Sequence, residues 1–262
     1  MFYQSVIVAF LVCFVPYFAW KKKALSASAS VICGMMIVIS AIPGYKYALF
    51  IVLAFLLTSV FDKVLKNQNI IIAESQIIQK AGTRDALQVL VNGGVAIISI
   101  FAWYLSPHNI LLICFITAIN EAFGDSMAST IGIAYGKKTY DIVHFQEAPA
   151  GFSGGISIIG TIGCFASCIL MGYIALLFGI ARTKDVFLIT VSAFAGCLID
   201  SFLGATIQRK NKCSICGKIT EKSIHCGCQT ELHSGRPMVD NDIVNLISNL
   251  SSAIIVLLLS LA

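Results

Sequence analysis

The feature that most constrains this chain is a succession of apolar runs, each about 20 residues long, at 2–20, 24–42, 45–62, 88–105, 109–135, 156–180, 185–208 and 243–262. As a helix rising 1.5 Å per residue, each run spans a hydrocarbon core of about 30 Å. Lipid offers no partner to backbone N–H and C=O groups, so runs of this length read as helices. They predict an all-α, polytopic helical membrane protein with about eight transmembrane helices. Composition points the same way, with 58% of residues hydrophobic and only 12% Asp, Glu, Lys or Arg. That is too little charge to wet a globular surface, which excludes a soluble enzyme. The first run lacks a basic leader and a small-residue cleavage pattern before Lys21-Lys22-Lys23, so it is expected to be a retained helix.

Orientation follows from the basic residues. With the N-terminus outside, loops 21–23, 63–87, 136–155 and 209–242 lie in the cytoplasm and carry fifteen of the eighteen Lys and Arg residues, leaving only Lys46, Arg182 and Lys184 outside. Segment 68–87 is too polar to cross and reads either as an interfacial helix or as a solvated connector. The organisation expected is a bundle over 1–208, a cytoplasmic Cys-rich insert over 209–240, and a final helix over 241–262 that completes the bundle.

Ionisable side chains at membrane depth are costly, which makes the few inside these runs functional candidates. Asp125, with Glu121 one turn deeper, and Asp200 fall about 12–15 Å below the cytoplasmic boundary. Two carboxylates at one depth suggest a shared divalent cation, the alternative being local neutralisation. Arg84, Gln88 and Asn92 form one helical stripe with Asp85 on its flank, suited to an anionic group or to hydrogen bonding between helices. The run Gly151-Phe152-Ser153-Gly154-Gly155 enters a helix whose N-terminus faces the cytoplasm. Free amides and the helix dipole favour phosphate there, although such a loop also serves as a plain turn. Asp242, Asn245 and Asn249 share a face of the last run, with Asn241 a turn above Asn245, and Asp240 reads as a helix cap.

The two acidic runs also resemble each other. Asp125-Ser126-Met127-Ala128-Ser129-Thr130-Ile131 and Asp200-Ser201-Phe202-Leu203-Gly204-Ala205-Thr206-Ile207 both follow Asp-Ser with small residues and then reach basic residues, Lys137-Lys138 and Arg209-Lys210. A parallel duplication of two-helix units would bring the two Asp residues face to face.

Six of the ten cysteines lie in apolar runs, where thiols behave as small hydrophobes. The other four, Cys213, Cys216, Cys226 and Cys228, cluster on a loop placed in the reducing compartment. Their spacing predicts a structural tetrahedral zinc site with His225 as substitute ligand, free thiols being the alternative.

At these motifs the chain resembles the integral membrane family that contains phytyl-phosphate kinase and transmembrane protein 19. The residues carrying the resemblance are Arg84-Asp85, Gln88-Val89 and Asn92-Gly93-Gly94; Gly124-Asp125-Ser126; Gly151 through Gly155 with Ser157; Asp200-Ser201 with Gln208; and Asn241-Asp242 with Asn245. One departure is Thr130, where the family usually has Glu, and Glu121 is expected to compensate. The resemblance implies a Mg2+-dependent prenyl-phosphate kinase in a prokaryotic plasma membrane. It would move the γ-phosphate of CTP or another nucleotide to a prenyl monophosphate lipid, with no nucleic acid partner and compatibly with a homo-oligomer. In this reading Asp125, Asp200 and Asp242, with Glu121, hold Mg2+, and Arg84 and Lys63 or Lys137 neutralise phosphate charge. Gly154-Gly155 amides and Ser153 meet phosphate oxygens, while Asp85, Gln88, Asn92, Asn241 and Asn245 complete the binding surface. A cytidylyltransferase acting on a lipid phosphate, and a transporter or flippase of an anionic lipid, are the alternatives. Crowding of polar residues in the inner half of the bundle favours an enzyme over a transporter.

Overall fold

In the computed structural model the described residues are 2–65, 77, 79 and 82–261. They form eight helices: α1 (Phe2–Lys21), α2 (Ala27–Ala41), α3 (Tyr45–Leu65), α4 (Ala86–Leu105), α5 (Asn109–Tyr135), α6 (Ile158–Leu177), α7 (Thr183–Thr206) and α8 (Asn241–Leu261). The six helices α3 to α8 are long and apolar enough to cross a membrane. The second expected span is shorter, since the 15 residues of α2 reach only about 22 Å. Segment 68–87, expected to be an interfacial helix or a solvated connector, lies, apart from its last residues and two isolated positions, outside the described residues.

Where helix ends depart from the apolar runs, local chemistry accounts for it. Helix α4 starts two residues early because the Asp85 side chain accepts from Gln88 N at 2.9 Å, while Asp85 N donates back to Gln88 Oε1 at 3.0 Å. Helix α8 starts early because Asp240 Oδ1 accepts from Ile243 N. Helix α6 starts late because Gly155–Ile156 are taken into a strand, and Ser157 then caps the helix at Gly160 N.

Helix α5 is the axis of the bundle. Of its central window 72% is buried, against 22–39% for the other five crossing helices. Such burial needs close neighbours, and glycine supplies the room: a Cβ on Gly160 would meet the Ala128 carbonyl oxygen at 2.9 Å and Gly132 Cα at 3.0 Å. Outward-facing residues such as Ile98, Leu177 and Phe187 are exposed, as a lipid-facing surface requires.

The loops gather at two ends. At one end Lys46 Nζ donates to Gly179 O at 2.8 Å. At the other, Thr83 Oγ1 donates to Lys23 O at 2.7 Å and Glu221 N donates to Ile77 O at 2.8 Å, and Ser153 meets Glu221. This second end carries all the strands. β1 (Thr139–Asp141), β2 (Glu147–Ala148) and β3 (Gly155–Ile156) form one sheet in the order β2-β1-β3. β4 (Lys210–Lys212), β5 (Ile219–Thr220) and β8 (Glu231–Ser234) form another in the order β5-β4-β8, and β6 (Ile224–His225) pairs with β7 (Cys228–Gln229).

The suggested duplication has a counterpart here. After α5 and again after α7 comes a small antiparallel sheet whose first strand is central and whose last strand leads into the next helix. The second unit differs by the inserted β6–β7 hairpin, which holds part of the cysteine cluster.

Packing is close beside Asp125. A Cβ on Gly124 would come within 2.7 Å of Cys168 Sγ and 3.2 Å of Cys197 Sγ. Gly124→Ala should therefore destabilise the bundle by about 1–3 kcal/mol. Thermal unfolding in detergent should show Gly124→Ala/Cys168→Ala regaining most of the lost midpoint, because the second change removes the obstructing sulfur.

Candidate active site

Two cavities open at the strand-bearing end and share a wall. The first, of about 220 Å³, is lined by Asp125 from α5, Asp200 from α7, the loop Gly151–Ser157, the first turn of α6, Gln208 and Glu221. The second, of about 300 Å³, is lined by apolar side chains of α2, α3 and α5, among them Met36, Ile51, Phe55 and Phe123. Its polar end carries Asp62, Arg84, Gln88, Asn92 and Asn245. Asp125, Ser129 and Asn241 line both.

Asp125 and Asp200 thus face one space, as the duplication requires. Asp200 Oδ2 accepts from Ser248 Oγ at 3.1 Å and, with the amide nitrogen turned toward it, from Asn245 at 3.1 Å. Both donors come from α8, so this helix fixes the carboxylate of α7. Among the described residues no Lys or Arg side chain forms an ion pair with Asp125 or Asp200.

Several expected residues lie elsewhere. Glu121 is buried and lines neither cavity; its Oε2 accepts from Asn249 Nδ2 at 2.6 Å, so it does not stand in for the missing acid at Thr130. That place is taken by a residue the sequence reading passed over: Asp62 of α3 accepts a short hydrogen bond from Thr130 Oγ1 and lies 3.7 Å from Arg84 Nη2. Positions 54, 58 and 62 repeat every four residues along α3, and Ala54 and Thr58 are buried, so helical phase could have chosen Asp62 over its neighbour Lys63. Lys63 and Lys137 are exposed and line neither cavity; Lys63 turns outward on α3, and Lys137 lies in the loop after α5. Lys210 lies nearer, 4.3 Å over the ring of Phe152. Asp85 and Gln88 are engaged in the cap of α4, although Gln88 still reaches the apolar cavity. Asn92 lines the same cavity while donating to Gln88 O at 2.9 Å. Asp242 lines a smaller adjoining cavity with Asn241, Gln88, Arg209 and Glu221.

The glycine-rich loop needs its glycines for packing. Gly154 has φ +82°, and a Cβ there would lie 2.3 Å from Ala205 N. The Gly155 amide already donates to Phe152 O at 2.8 Å, so the expected Gly154-Gly155 phosphate cradle is at best half available. The N-terminal turn of α6 also borders the cavity through Ser157, Gly160 and Thr161, although the Gly160 amide already donates to Ser157 Oγ and the Thr161 amide to Ser157 O. Opposite them Glu221 is buried; its Oε1 accepts from Ser153 Oγ and from Gln208 Nε2, the latter at 2.9 Å. Burial pushes the Glu221 carboxyl above its ordinary range, and the Ser153 hydrogen bond opposes that rise. No helical period marks Glu221 in the sequence, and its partner Ser153 lies 68 residues away.

In the insert, Cys213, Cys216, His225 and Cys226 present ligand atoms all within 4.8 Å of one another. His225 therefore joins the set as a primary member. Cys228 Sγ lies 3.9 Å from Cys213 Sγ and contacts the His225 carbonyl at 3.2 Å. Hydrogen bonding, first from the Cys216 amide and then from the His225 side chain, holds the Cys213 thiol down at about 6.

Residues 10–253 match the family described as Integral membrane protein DUF92. The chain belongs to this family. Protein PGR of Arabidopsis thaliana is 27% identical over 269 residues, covering 93% of this chain and 91% of that protein. An uncharacterized membrane protein of Synechocystis is 30% identical over 100 residues, 38% of this chain and 39% of its own. One from Methanocaldococcus jannaschii is 35% identical over 132 residues, 48% of this chain and 52% of its own. No solved structure matches the chain. These findings bear out the family resemblance read from the motifs, and the matched span of this DUF92 member contains both cavities and the cysteine cluster.

Backbone contact at Gly154 makes a sharp test of the loop. Gly154→Ala should cost more than about 2 kcal/mol, from strain at positive φ and collision with Ala205. Thermal unfolding should show a clear fall for Gly154→Ala and a much smaller one for Ser201→Ala on the same cavity wall.

Proposed function

We propose that this protein is a membrane-embedded prenyl-phosphate kinase that transfers the γ-phosphate of CTP or another nucleoside triphosphate to a polyprenyl monophosphate, with its site open to the cytoplasm. The observation that carries the reading is the shared wall. A polar cavity with a helix N-terminus and an apolar cavity with an arginine at its mouth meet at Asp125, Ser129 and Asn241. A reaction joining a water-soluble phosphate donor to a lipid-borne phosphate needs two such rooms with a common boundary.

The residues divide accordingly. The first turn of α6 and the Ser153 loop bind the donor phosphates. Arg84, with side-chain exposure of 33%, meets the acceptor phosphate, and Asp62 orients it from the far side. Met36, Ile51, Phe55 and Phe123 receive the first isoprene units. A divalent cation fits the donor set, since Asp125 and Asp200 share a cavity wall and neither is paired with a Lys or Arg among the described residues. When bound, it would neutralise charge on the phosphates. Asn245 and Ser248 hold the Asp200 carboxylate in place. The acceptor is already an anionic phosphate, so no general base has to deprotonate it.

The test uses purified protein in nanodiscs with labelled nucleotides, Mg2+ and a panel of prenyl monophosphates. Prenyl diphosphate is the expected product; a CDP-lipid with released pyrophosphate, or transbilayer movement without turnover, would overturn the kinase reading. Asp125→Asn and Asp200→Asn should each lower kcat about 10²–10³-fold while the unfolding midpoint is kept. Arg84→Lys keeps the charge and loses the bidentate fork, and should raise KM for the prenyl phosphate about tenfold with little change for the nucleotide.

A further inference from the structure

The Cys-rich insert is folded so that its tip and its feet do different things. β4 leaves the end of α7 directly after Gln208 and Arg209, and β5 returns antiparallel to it with Asn211 opposite Thr220 and Lys212 opposite Ile219. The turn between them contains Cys213 and Cys216 and closes through Gly217 N to Cys213 O at 2.9 Å. The β6–β7 hairpin brings His225 and Cys226 to the same point, with Cys226 held at φ +52° and Gly227 at φ +79° in its two-residue turn. His225 Nδ1 then lies 3.5 Å from Cys216 Sγ and 3.3 Å from Cys226 Sγ. Four N and S donors from two hairpin tips converge, and a non-glycine residue is kept in the left-handed region to bring them there.

At the feet of the first hairpin, Glu221 and Gln208 meet inside the glycine-loop cavity. Glu221 Oε1 accepts from Gln208 Nε2 and from Ser153 Oγ, and Glu221 N and Thr220 Oγ1 both donate to Ile77 O, at 2.8 and 2.9 Å. The arms carrying these contacts are strands of two and three residues, and although β4 also pairs with the four-residue β8, strands this short are marginal in water without a further cross-link.

We propose that the insert is a zinc-pinned wall of this cavity: Zn2+ bound by Cys213, Cys216, His225 and Cys226 locks the hairpin tips, and the locked hairpin makes Glu221 a positioning residue that holds the Ser153 loop closed against α7. Zinc is the cation the donors select, since three thiolates and an imidazole in a closed set suit a tetrahedral d10 ion and leave no position for chemistry. Binding such an ion supplies folding free energy to a unit that lacks an apolar core. The strand pairing carries that order to Glu221, which in turn bonds the loop. The donor role of the cavity rests on the function proposed above; the link from metal to loop does not.

The experiment therefore reads the link without turnover. Full-length protein in nanodiscs should contain one zinc per chain by elemental analysis. Removing it with a zinc-selective chelator in the presence of Mg2+ should raise amide hydrogen exchange in residues 150–157 about tenfold or more, as expected for a lost local closure. Cys216→Ser should lose the zinc and reproduce that change. Glu221→Gln should keep the zinc and still loosen 150–157, and in the kinase assay should raise nucleotide KM about tenfold while leaving KM for the prenyl phosphate unchanged. Absence of zinc overturns the pin, and unchanged exchange after zinc removal or in Glu221→Gln overturns the link. A silent kinase assay with the exchange response intact sinks the proposed reaction and leaves this inference standing.

Discussion

Everything at the strand-bearing end is arranged around two carboxylates that a membrane bundle should avoid. Asp125 and Asp200 lie on crossing helices, line one cavity and have no Lys or Arg ion-pair partner among the described residues. An ionised carboxylate in a low-dielectric site is tolerated only with hydrogen bonds, water or a cation. Here α8 supplies hydrogen bonds to Asp200 through Ser248 and Asn245, and the cavity admits the rest. Glu121 shows the other solution to the same problem. It is closed off from both cavities and bonded to Asn249, which is what a structural acid in a bundle looks like.

Close approach of α5 to its neighbours is the second half of that arrangement. Gly124, Gly132 and Gly160 remove the side chains that would separate α5 from α6 and α7, and Gly196 makes room for Glu121 Cγ and Ser252 Cβ at the same depth. The backbones can then come near enough for acids on α5 and α7 to border one small space. The recurring order of helix, small sheet and helix explains why both acids stand at the same end: each acidic helix descends to a sheet whose last strand leads into a helix lining a cavity.

How much of this was legible in the sequence depended on the reach of the signal. Lipid imposes a length and a polarity on every span, so the crossing segments could be read to within about three residues, and the deviations at three helix starts were caps and a strand made by Asp85, Asp240 and Gly155–Ile156. Asp125, Asp200 and Asn245 stood out because charge or amide groups inside apolar runs are rare, and Arg84 because it continues the polar stripe of Gln88 and Asn92; all four border the cavities. Lys63 and Lys137 do not border the site, since Lys63 faces outward on α3 and Lys137 is exposed in the loop after α5. Gly155 was misjudged because a glycine needed for a tight turn and one needed to expose an amide look alike in a sequence; the hydrogen bond to Phe152 O decides between them. Asp62 and Glu221 escaped for a third reason. Their importance lies in contacts with Thr130 and Ser153, each 68 residues distant; helical phase can place Asp62 on the inward face of α3, but no period marks Glu221 and none names either partner.

The two cavities also differ in what closes them, and this bears on how each could be filled. The apolar one is built from α2, α3 and α5, so its walls are helix faces set by the bundle itself. Bundle helices give access from the side, suiting an occupant that arrives through the bilayer. The polar one is completed by parts outside the bundle, the loop before α6 and the foot of the insert, joined through Ser153, Gln208 and Glu221. A wall of short strands opens at lower cost than a packed helix pair, because it buries less apolar surface. An occupant arriving from water is suited by such a wall, which can yield for entry and then close. In the proposed reaction, an adjustable wall on the donor side and a rigid one on the lipid side would keep Arg84 and Asp62 fixed while the Ser153 loop yields, so capture of the donor could be tuned without disturbing the acceptor's seat.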